Sequence, residues 1–180
     1  MRGSPPSLKA RALQWLAQRE HSRVELRRKL LRLARQQAAE AAEAAKNASD
    51  RSDAGAGREP PDPAAEVDAL LDWLLANRYL SDARFVESRV NARAARYGNL
   101  RIRQELGQHG AALDAAIAER LKGSEMARAQ ALWARRYGAT PALDANERAR
   151  QMRFLAGRGF SADVIRRVVR GAEIDSDEHA

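Results

Sequence analysis

The sequence predicts an all-α fold arranged as an elongated array of three tandem three-helix repeats, nine helices in total. The composition favours helix, because the 180 residues include 38 Ala and 28 Arg, and both are strong helix formers. No stretch shows the sustained period-2 alternation that is typical of a strand. A helical hairpin pattern also recurs three times along the chain, and such internal recurrence indicates a repeat architecture.

Apolar stripes predict the helices of the N-terminal third. One stripe begins at Leu8 and predicts the first helix, and another begins at Val24 and predicts the second. Segment 36–63 follows. Its Ala- and Glu-rich part can extend the second helix to about Lys46, whereas its Ser, Asp, Gly and Pro residues predict a flexible linker.

Seven further helices are predicted in the rest of the chain, with Gly and Pro residues between them. Gly123 is expected to separate two of these helices. The acidic tail that starts at Glu173 is expected to fray. The seven helices are predicted at residues 67–75, 82–97, 100–108, 113–121, 125–137, 144–155 and 162–170.

One joint between helices occurs three times, with the pattern Leu-Ala-x-Arg-x-x-Ser. The Leu can anchor the end of one helix in the core, and the Ser can cap the start of the next. Ser22 and Glu25 also fit a capping box. The three copies of the joint lie at residues 16–22, 75–81 and 155–161.

A second recurrence suggests the length of the repeat. Arg-Tyr-Gly occurs at 96–98 and again at 136–138, a separation that accommodates three short helices with their turns. One such triplet is too small to be stable alone, so neighbouring triplets must stack. The predicted boundaries are 1–7 for a disordered N-terminus, 8–80 for the first repeat with its flexible insertion at 36–63, 81–122 for the second repeat, 123–171 for the third, and 172–180 for the acidic tail.

The residue types argue against catalysis, bound metal and a membrane location. Cys is absent, which excludes disulfides and thiolate ligands. The three His residues lack the spacing of metal ligands, no nucleophile has a base beside it, and His21 is expected at the surface or at a helix cap. No apolar run reaches the roughly 20 residues that span a bilayer, and no signal peptide is evident. We therefore expect a cytoplasmic, non-enzymatic protein without a cofactor.

The charge distribution indicates a polyanionic partner, although a solvated basic surface would give the same composition. The formal net charge is +8. Residues 8–35 contain nine Lys or Arg against two Glu, and residues 120–170 contain twelve against four acids, whereas 36–69 is acidic. Basic stretches separated by acidic ones suit contact with phosphates or with an acidic protein surface.

Several Arg residues recur at helical spacing and form basic ridges on the predicted helices. Such ridges can bind phosphates or dock on acidic protein patches. Asp68 and Asp72 share a helix face and are expected either to be solvated or to pair with Arg78. The candidate contact residues are Arg23, Arg27, Arg28, Arg32, Arg93, Arg96, Arg101, Arg103, Arg166 and Arg167.

Four segments of the chain resemble, in order and spacing, the conserved blocks of the RecX family of regulatory proteins. They read REHSRVELRRKL at 19–30, RYLSDARFVESRV at 78–90, YGNLRIRQELGQHG at 97–110 and RFLAGRGFSADVIRRVV at 153–169. The resemblance implies three tandem three-helix repeats, in agreement with the grouping reached from the recurrences.

The resemblance also implies a function. Family members modulate the RecA recombinase by binding along the groove of the RecA filament on single-stranded DNA. They restrain its ATP hydrolysis, strand exchange and co-protease activity in DNA repair and the SOS response. Weak, non-specific DNA binding is expected in addition. The long insertion at 36–63, rather than the resemblance, suggests a homodimer in which two chains exchange the first helical hairpin.

Two other functions are compatible with the residues. A helix-turn-helix module would insert one helix into the major groove and bind duplex DNA sequence-specifically. An adaptor for an unrelated acidic protein would ignore both RecA and DNA. The distribution of charge over all three predicted repeats, rather than on one recognition helix, favours the filament-binding hypothesis over the first of these.

Overall fold

The computed structural model describes residues 6–49, 62–138, 142 and 144–177. Within these residues it contains eight α-helices and no strand, which confirms the predicted all-α class. The helices are α1 (Leu8–Gln18), α2 (Arg23–Ser49), α3 (Pro63–Ala76), α4 (Asp82–Ala94), α5 (Asn99–Gln108), α6 (Ala115–Tyr137), α7 (Ala145–Gly157) and α8 (Ala162–Asp177).

The prediction of nine helices is wrong at one place. The helices expected at 113–121 and 125–137 are a single helix, α6, which passes through Gly123 without a break. A Gly inside a helix costs only about 1 kcal/mol relative to Ala, and burial of Ile117, Leu121, Ala129 and Leu132 along the same helix outweighs that cost.

Two predicted ends also differ from the structure. Helix α2 continues to Ser49, slightly beyond the extension to about Lys46 that the Ala and Glu content predicted, so the first half of segment 36–63 is helical rather than flexible. Helix α8 continues to Asp177, so most of the tail expected to fray is helical. The proposed linker residues 50–61 lie outside the described part of the chain, as do residues 1–5 of the predicted disordered N-terminus.

The chain divides into two compact units, Met1–Phe85 and Val86–Ala180, with the division inside α4. In the first unit, α2 packs against both α1 and α3. The core between these helices is formed by buried Leu and Val side chains, and it includes the joint residue Leu80. Fully buried members are Leu26, Leu30, Val67, Leu71 and Leu74.

Hydrogen bonds tie together two of the repeated joints within the first unit. Ser22 Oγ accepts from Glu25 N at 3.1 Å, and Ser81 Oγ accepts from Arg84 N at 3.3 Å, which confirms the predicted caps. The backbone N of Arg23 donates to Asp82 Oδ1 at 2.8 Å. The Arg84 guanidinium donates to Glu20 Oε1 at 2.8 Å. These contacts hold the starts of α2 and α4 side by side.

His21 is buried in the first of these joints, so the expectation of a surface residue is wrong. Its side chain is 2% exposed, and Nδ1 lies 3.2 Å from Glu25 Oε1. Burial lowers the pKa of His21 below its ordinary value; the Glu25 carboxylate opposes this shift, and the charges of Arg19 and Lys29 add to it. Neutral imidazole is therefore the form that the folded joint accommodates.

In the second unit, α6, α7 and α8 enclose a core that includes Trp133, Leu155 and Phe160. Trp133 Nε1 donates to the buried Gln151 Oε1 at 2.8 Å, which satisfies both polar groups. Buried apolar side chains also line α4, α5 and the first half of α6, at Val86, Val90, Ile102, Leu106, Ile117 and Leu121.

The turn before α5 fits against the turn after α7 through backbone contacts. Gly98 N donates to Arg158 O at 2.9 Å, and Leu100 N donates to Gly159 O at 3.1 Å. A Cβ on Gly98 would lie 2.2 Å from Gly159 O. Gly159 has a φ of +80°, and its own Cβ would lie 2.5 Å from Arg101 Cβ. Both positions therefore require Gly.

A buried charged network on α6 reinforces this contact. Glu125 is 6% exposed; its Oε1 accepts from Asn99 N at 3.0 Å and its Oε2 from Ser161 Oγ at 3.2 Å. Arg128 donates to the carbonyls of Ala94 and Tyr97 at 3.0 and 2.8 Å and to Asn99 Oδ1 at 2.6 Å. The two charged side chains lie one turn apart on α6. They make hydrogen bonds to polar groups at the end of α4, at the start of α5 and just before α8.

Substitution of Gly98 tests the close backbone contact. We expect Gly98→Ala to lower the free energy of unfolding by about 2 kcal/mol or more, because the added methyl group overlaps backbone atoms that cannot move aside. Gly123→Ala is the matched control: nothing lies within 4 Å of its Cβ, so it should raise stability by about 0.5–1 kcal/mol through helix propensity. Urea unfolding followed by circular dichroism measures the free energy of unfolding of both variants. Equal changes in Gly98→Ala and Gly123→Ala would contradict the close backbone contact at Gly98.

The buried imidazole predicts a loss of stability in mild acid. Because the folded-state pKa of His21 lies below the unfolded value of about 6.5, the unfolded chain binds the proton more tightly. Its contribution to stability is present above about pH 6.5 and is lost as the pH falls through the lower folded pKa. Urea unfolding of the wild type and of His21→Gln, at intervals from pH 8 to pH 5, should show that the free energy of unfolding declines less in the variant. Parallel curves would show that His21 is not the source of the pH dependence.

Candidate functional site

The Arg residues on α2, which are four candidates and Arg35, separate into a paired set and an unpaired set. Arg28, Arg32 and Arg35 are exposed and make no ion pair with any residue that the structure describes. Together with the apolar side chains of Val24 and Leu31 they line a surface depression, the α2 groove, which Arg27 and Lys29 also border. Val24 is 41% exposed although it is apolar.

The other two α2 candidates are bound within the first unit. Arg23 Nη1 lies 2.8 Å from Asp72 Oδ1, and Arg27 donates two hydrogen bonds to the Asp68 carboxylate at 2.6 and 2.7 Å. The bond from Arg27 lowers the pKa of Asp68. The expected pairing of these Asp residues with Arg78 is therefore not what forms. The i, i+4 spacing placed Arg23 and Arg27 on one face of their helix and the two Asp residues on one face of theirs. Spacing alone did not indicate that these two faces pack together.

Two Trp residues lie at the edge of the same core, each covered by an ammonium group. Lys29 Nζ lies 4.2 Å from the Trp15 ring centroid, and Lys9 Nζ lies 3.6 Å from that of Trp73. Both rings are partly buried and pack against the core. Because Lys29 packs over Trp15, it contributes less than the Arg residues to the exposed charge. Sequence spacing did not indicate this contact.

A second cluster of candidates lies between α4 and α5. Arg93 donates to Glu105 Oε1 at 3.2 Å from Nε and at 3.1 Å from Nη2, and Arg89 Nη1 lies 3.4 Å from the same carboxylate. These three side chains line a polar depression, the α4–α5 pocket, together with Arg101, Gln104, Gln108 and His109. Arg93 and Arg101 were among the predicted contact residues. Arg89, which shares the basic stripe of Arg93, and the two Gln residues were not.

Three Arg side chains of the second unit converge on the Tyr97 ring. The Cζ atoms of Arg101, Arg158 and Arg93 lie 5.2, 5.6 and 5.7 Å from its centroid. Arg158, the Arg of the third joint, lies over the rings of Tyr97 and Phe154. Cation–π attraction of this kind holds the guanidinium groups in place.

The remaining candidates are not brought together with either cluster. Arg96 is exposed at the end of α4, and Arg103 borders a separate apolar depression beside Leu106 and Leu113. On α8, Arg166 lies 3.7 Å from Asp163, and Arg167 is exposed.

The described residues contain no group of three or more His, Asp or Glu side chains that could hold a metal ion. None of the described helices is long and apolar enough to cross a membrane. Both clusters present guanidinium groups, which can bind anionic groups through charge-assisted hydrogen bonds.

Comparison with known proteins gives the family. Residues 81–119 match the model of the second three-helix domain of RecX, and residues 124–169 match that of the third. The crystal structure of RecX from Lactobacillus salivarius superposes with a TM-score of 0.60 at 18% identity, covering 93% of this chain and 95% of that one, and shares its fold.

Relatives resemble the chain along nearly its whole length. A regulatory protein RecX of Ralstonia nicotianae is 46% identical over 179 residues, which is 97% of this chain and 95% of the relative. Another, from Leptothrix cholodnii, is also 46% identical, over 95% of this chain and 92% of its own. A third, from Pseudomonas entomophila, is 36% identical, with 95% of each chain covered. The all-α fold, the three-helix domains and this similarity together show that the chain belongs to the RecX family of regulatory proteins.

Proposed function

We propose that the protein is a non-enzymatic cytoplasmic regulator that binds the RecA–single-stranded DNA filament. Binding would inhibit the filament's ATPase, strand-exchange and co-protease activities, and so restrain DNA repair and the SOS response. Membership of a family whose relatives are named regulatory proteins supports this proposal, and the Arg clusters supply the means of binding a polyanionic assembly.

The observation that carries the proposal is the α2 groove. Acidic neighbours neutralise Arg23 and Arg27, whereas Arg28, Arg32 and Arg35 have no acidic partner among the described residues and remain available to another molecule. The groove also exposes Val24. Protein interfaces combine an apolar centre with Arg and a polar rim, so this composition suits the protein component of the filament.

The repeat organisation supports binding to a filament rather than to a single molecule. We propose the repeat boundaries 8–80, 81–122 and 123–171, each of which contributes Arg residues to the candidate surface. Modest contacts that are repeated along a helical partner reinforce one another, because the first contact raises the effective concentration of the next. Weak non-specific DNA binding and a homodimer formed by exchange of the first hairpin are further parts of the proposal. Sedimentation that shows only monomer across concentrations would contradict the homodimer.

ATP hydrolysis by RecA on single-stranded DNA, measured while this protein is titrated in, tests the proposal. We expect hydrolysis to fall at well below one molecule per RecA, as inhibition at filament ends or spreading along the filament would produce. An unchanged rate at excess protein, with DNA binding intact, would contradict the proposal and favour the direct DNA-binding alternative.

Charge reversal in the α2 groove gives a sharper test. Arg28→Glu with Arg32→Glu should raise the concentration needed for half-inhibition by about tenfold or more, because like charges placed opposite each other at an interface cost several kcal/mol. Arg150→Glu with Arg153→Glu is the matched control, since it changes the net charge equally at two exposed positions of α7. Helicity should be unchanged in both variants; equal inhibition by both would remove the α2 groove from the interface.

A further inference from the structure

We propose that the α4–α5 pocket binds phosphate groups of a nucleic-acid backbone, as a site distinct in chemistry from the α2 groove. The inference deepens the proposed function and rests on it only for its biological setting, since the binding itself requires no RecA. The pocket is lined by Arg89, Arg93 and Arg101, with Gln104, Gln108 and His109 at its margin.

The charges of the pocket are unbalanced. Glu105 is the one carboxylate among its described lining residues, and it contacts both Arg89 and Arg93. Arg101 adds a third guanidinium group to the lining, and Arg158 lies over the neighbouring Tyr97 ring. One negative charge therefore faces several positive ones, and an added anion would relieve the repulsion between them.

Two of the three Arg side chains of the pocket are partly removed from water, whereas Arg101 is exposed. The side chains of Arg89, Arg93 and Glu105 are 25%, 35% and 23% exposed. In such surroundings the attraction between a guanidinium group and a phosphate is screened less than at a fully exposed surface. Guanidinium groups can bind phosphate oxygens through two parallel hydrogen bonds, so the residue type matches the proposed ligand.

The pocket is also preorganised. Glu105 orients Arg93, and the Tyr97 ring centroid lies 5.2 Å from Arg101 Cζ. The backbone of Arg101 is held by the close approach of Gly159, which has no side chain to keep the two segments apart. Fewer side-chain conformations are then lost when a ligand binds. Gln104 and Gln108, one turn apart on α5, place amide donors beside the guanidinium groups.

The lining favours a nucleic-acid backbone over an acidic protein surface. The described lining of this pocket contains no large apolar side chain, so a protein partner would find no apolar centre to bury there, unlike in the α2 groove. Interfaces with nucleic acid are more polar and more positively charged than those between proteins. The Tyr97 ring is already in contact with three guanidinium groups of its own chain, so a base has no room to stack on it. We therefore expect contact with the nucleic-acid backbone and no sequence preference.

Replacement of the two Gln residues by Glu tests the site without removing any Arg. In Gln104→Glu with Gln108→Glu, the new carboxylates should occupy the guanidinium groups and exclude phosphate. Gln18→Glu with Gln130→Glu, both exposed and outside the pocket, is the control with the same change in net charge. The probe is a fluorescein-labelled oligothymidylate of about 20 nucleotides, enough to span several phosphate contacts, and its anisotropy is followed over a range of NaCl concentrations.

We expect the pocket variant to bind the oligonucleotide at least about tenfold more weakly than the control, which is the effect of removing one charge-assisted hydrogen bond. The negative slope of log affinity against log salt concentration should become shallower, by about 0.7 for each phosphate that the variant no longer neutralises. The melting temperature should stay equal or rise, because the new carboxylates pair with Arg residues. A lower melting temperature without these binding changes would overturn the proposal.

Other outcomes separate this inference from the proposed function. Equal oligonucleotide binding by the pocket variant and the control would overturn the inference. Equal oligonucleotide binding combined with a loss of RecA inhibition in the pocket variant would also overturn it, and would assign the pocket to an acidic protein surface. A wild-type protein that leaves RecA hydrolysis unchanged, but binds the oligonucleotide in a pocket-dependent way, would uphold the inference while contradicting the proposed function.

Discussion

The second unit depends on a hydrogen-bond network around two charged residues of α6, the buried Glu125 and the partly buried Arg128. Three chain segments end or begin around it, and each leaves backbone groups that a helix cannot satisfy by itself. Glu125 accepts from the start of α5 and from Ser161 before α8, while Arg128 donates to carbonyls at the end of α4. Because each of these charged groups has several hydrogen-bonding partners, the cost of burying it is offset. The Gly98–Gly159 backbone contact can then form beside it.

This arrangement also determines where the Arg cluster of the second unit lies. The contact between Gly159 and the start of α5 fixes Arg101, and it places Arg158 over the same Tyr97 ring as Arg93 and Arg101. A pocket of several cations with a single carboxylate among its described lining residues results in the second unit. In the first unit, α3 supplies two Asp residues that neutralise one side of α2. The remaining exposed Arg residues of α2 face outward. Internal pairing, rather than the number of basic residues, therefore decides which positive charges are available to a partner.

Part of this structure could be predicted because its signals are local. The apolar stripes of α1 and α3, the caps at Ser22 and Ser81 and the helical class follow from spacing and propensity. The prediction of a helix break at Gly123 was wrong. The loss of helix stability caused by one Gly is small compared with the stabilisation from burying the apolar side chains along α6. The position of His21 was misjudged for a related reason: a polar residue in a turn is usually exposed, but here two joints pack around it.

The sequence by itself determined the helical class, the repeated joints, the excess of Arg and the resemblance to the RecX family, because each of these depends on residue type and short-range spacing. Only the tertiary structure decided which Arg residues are neutralised. Pairs such as Arg27 with Asp68, or Arg128 with Asn99, join residues 41 and 29 positions apart. Their formation depends on how helices pack, which no local pattern encodes. The two proposed binding surfaces therefore depend on this internal pairing as well as on the number of Arg residues.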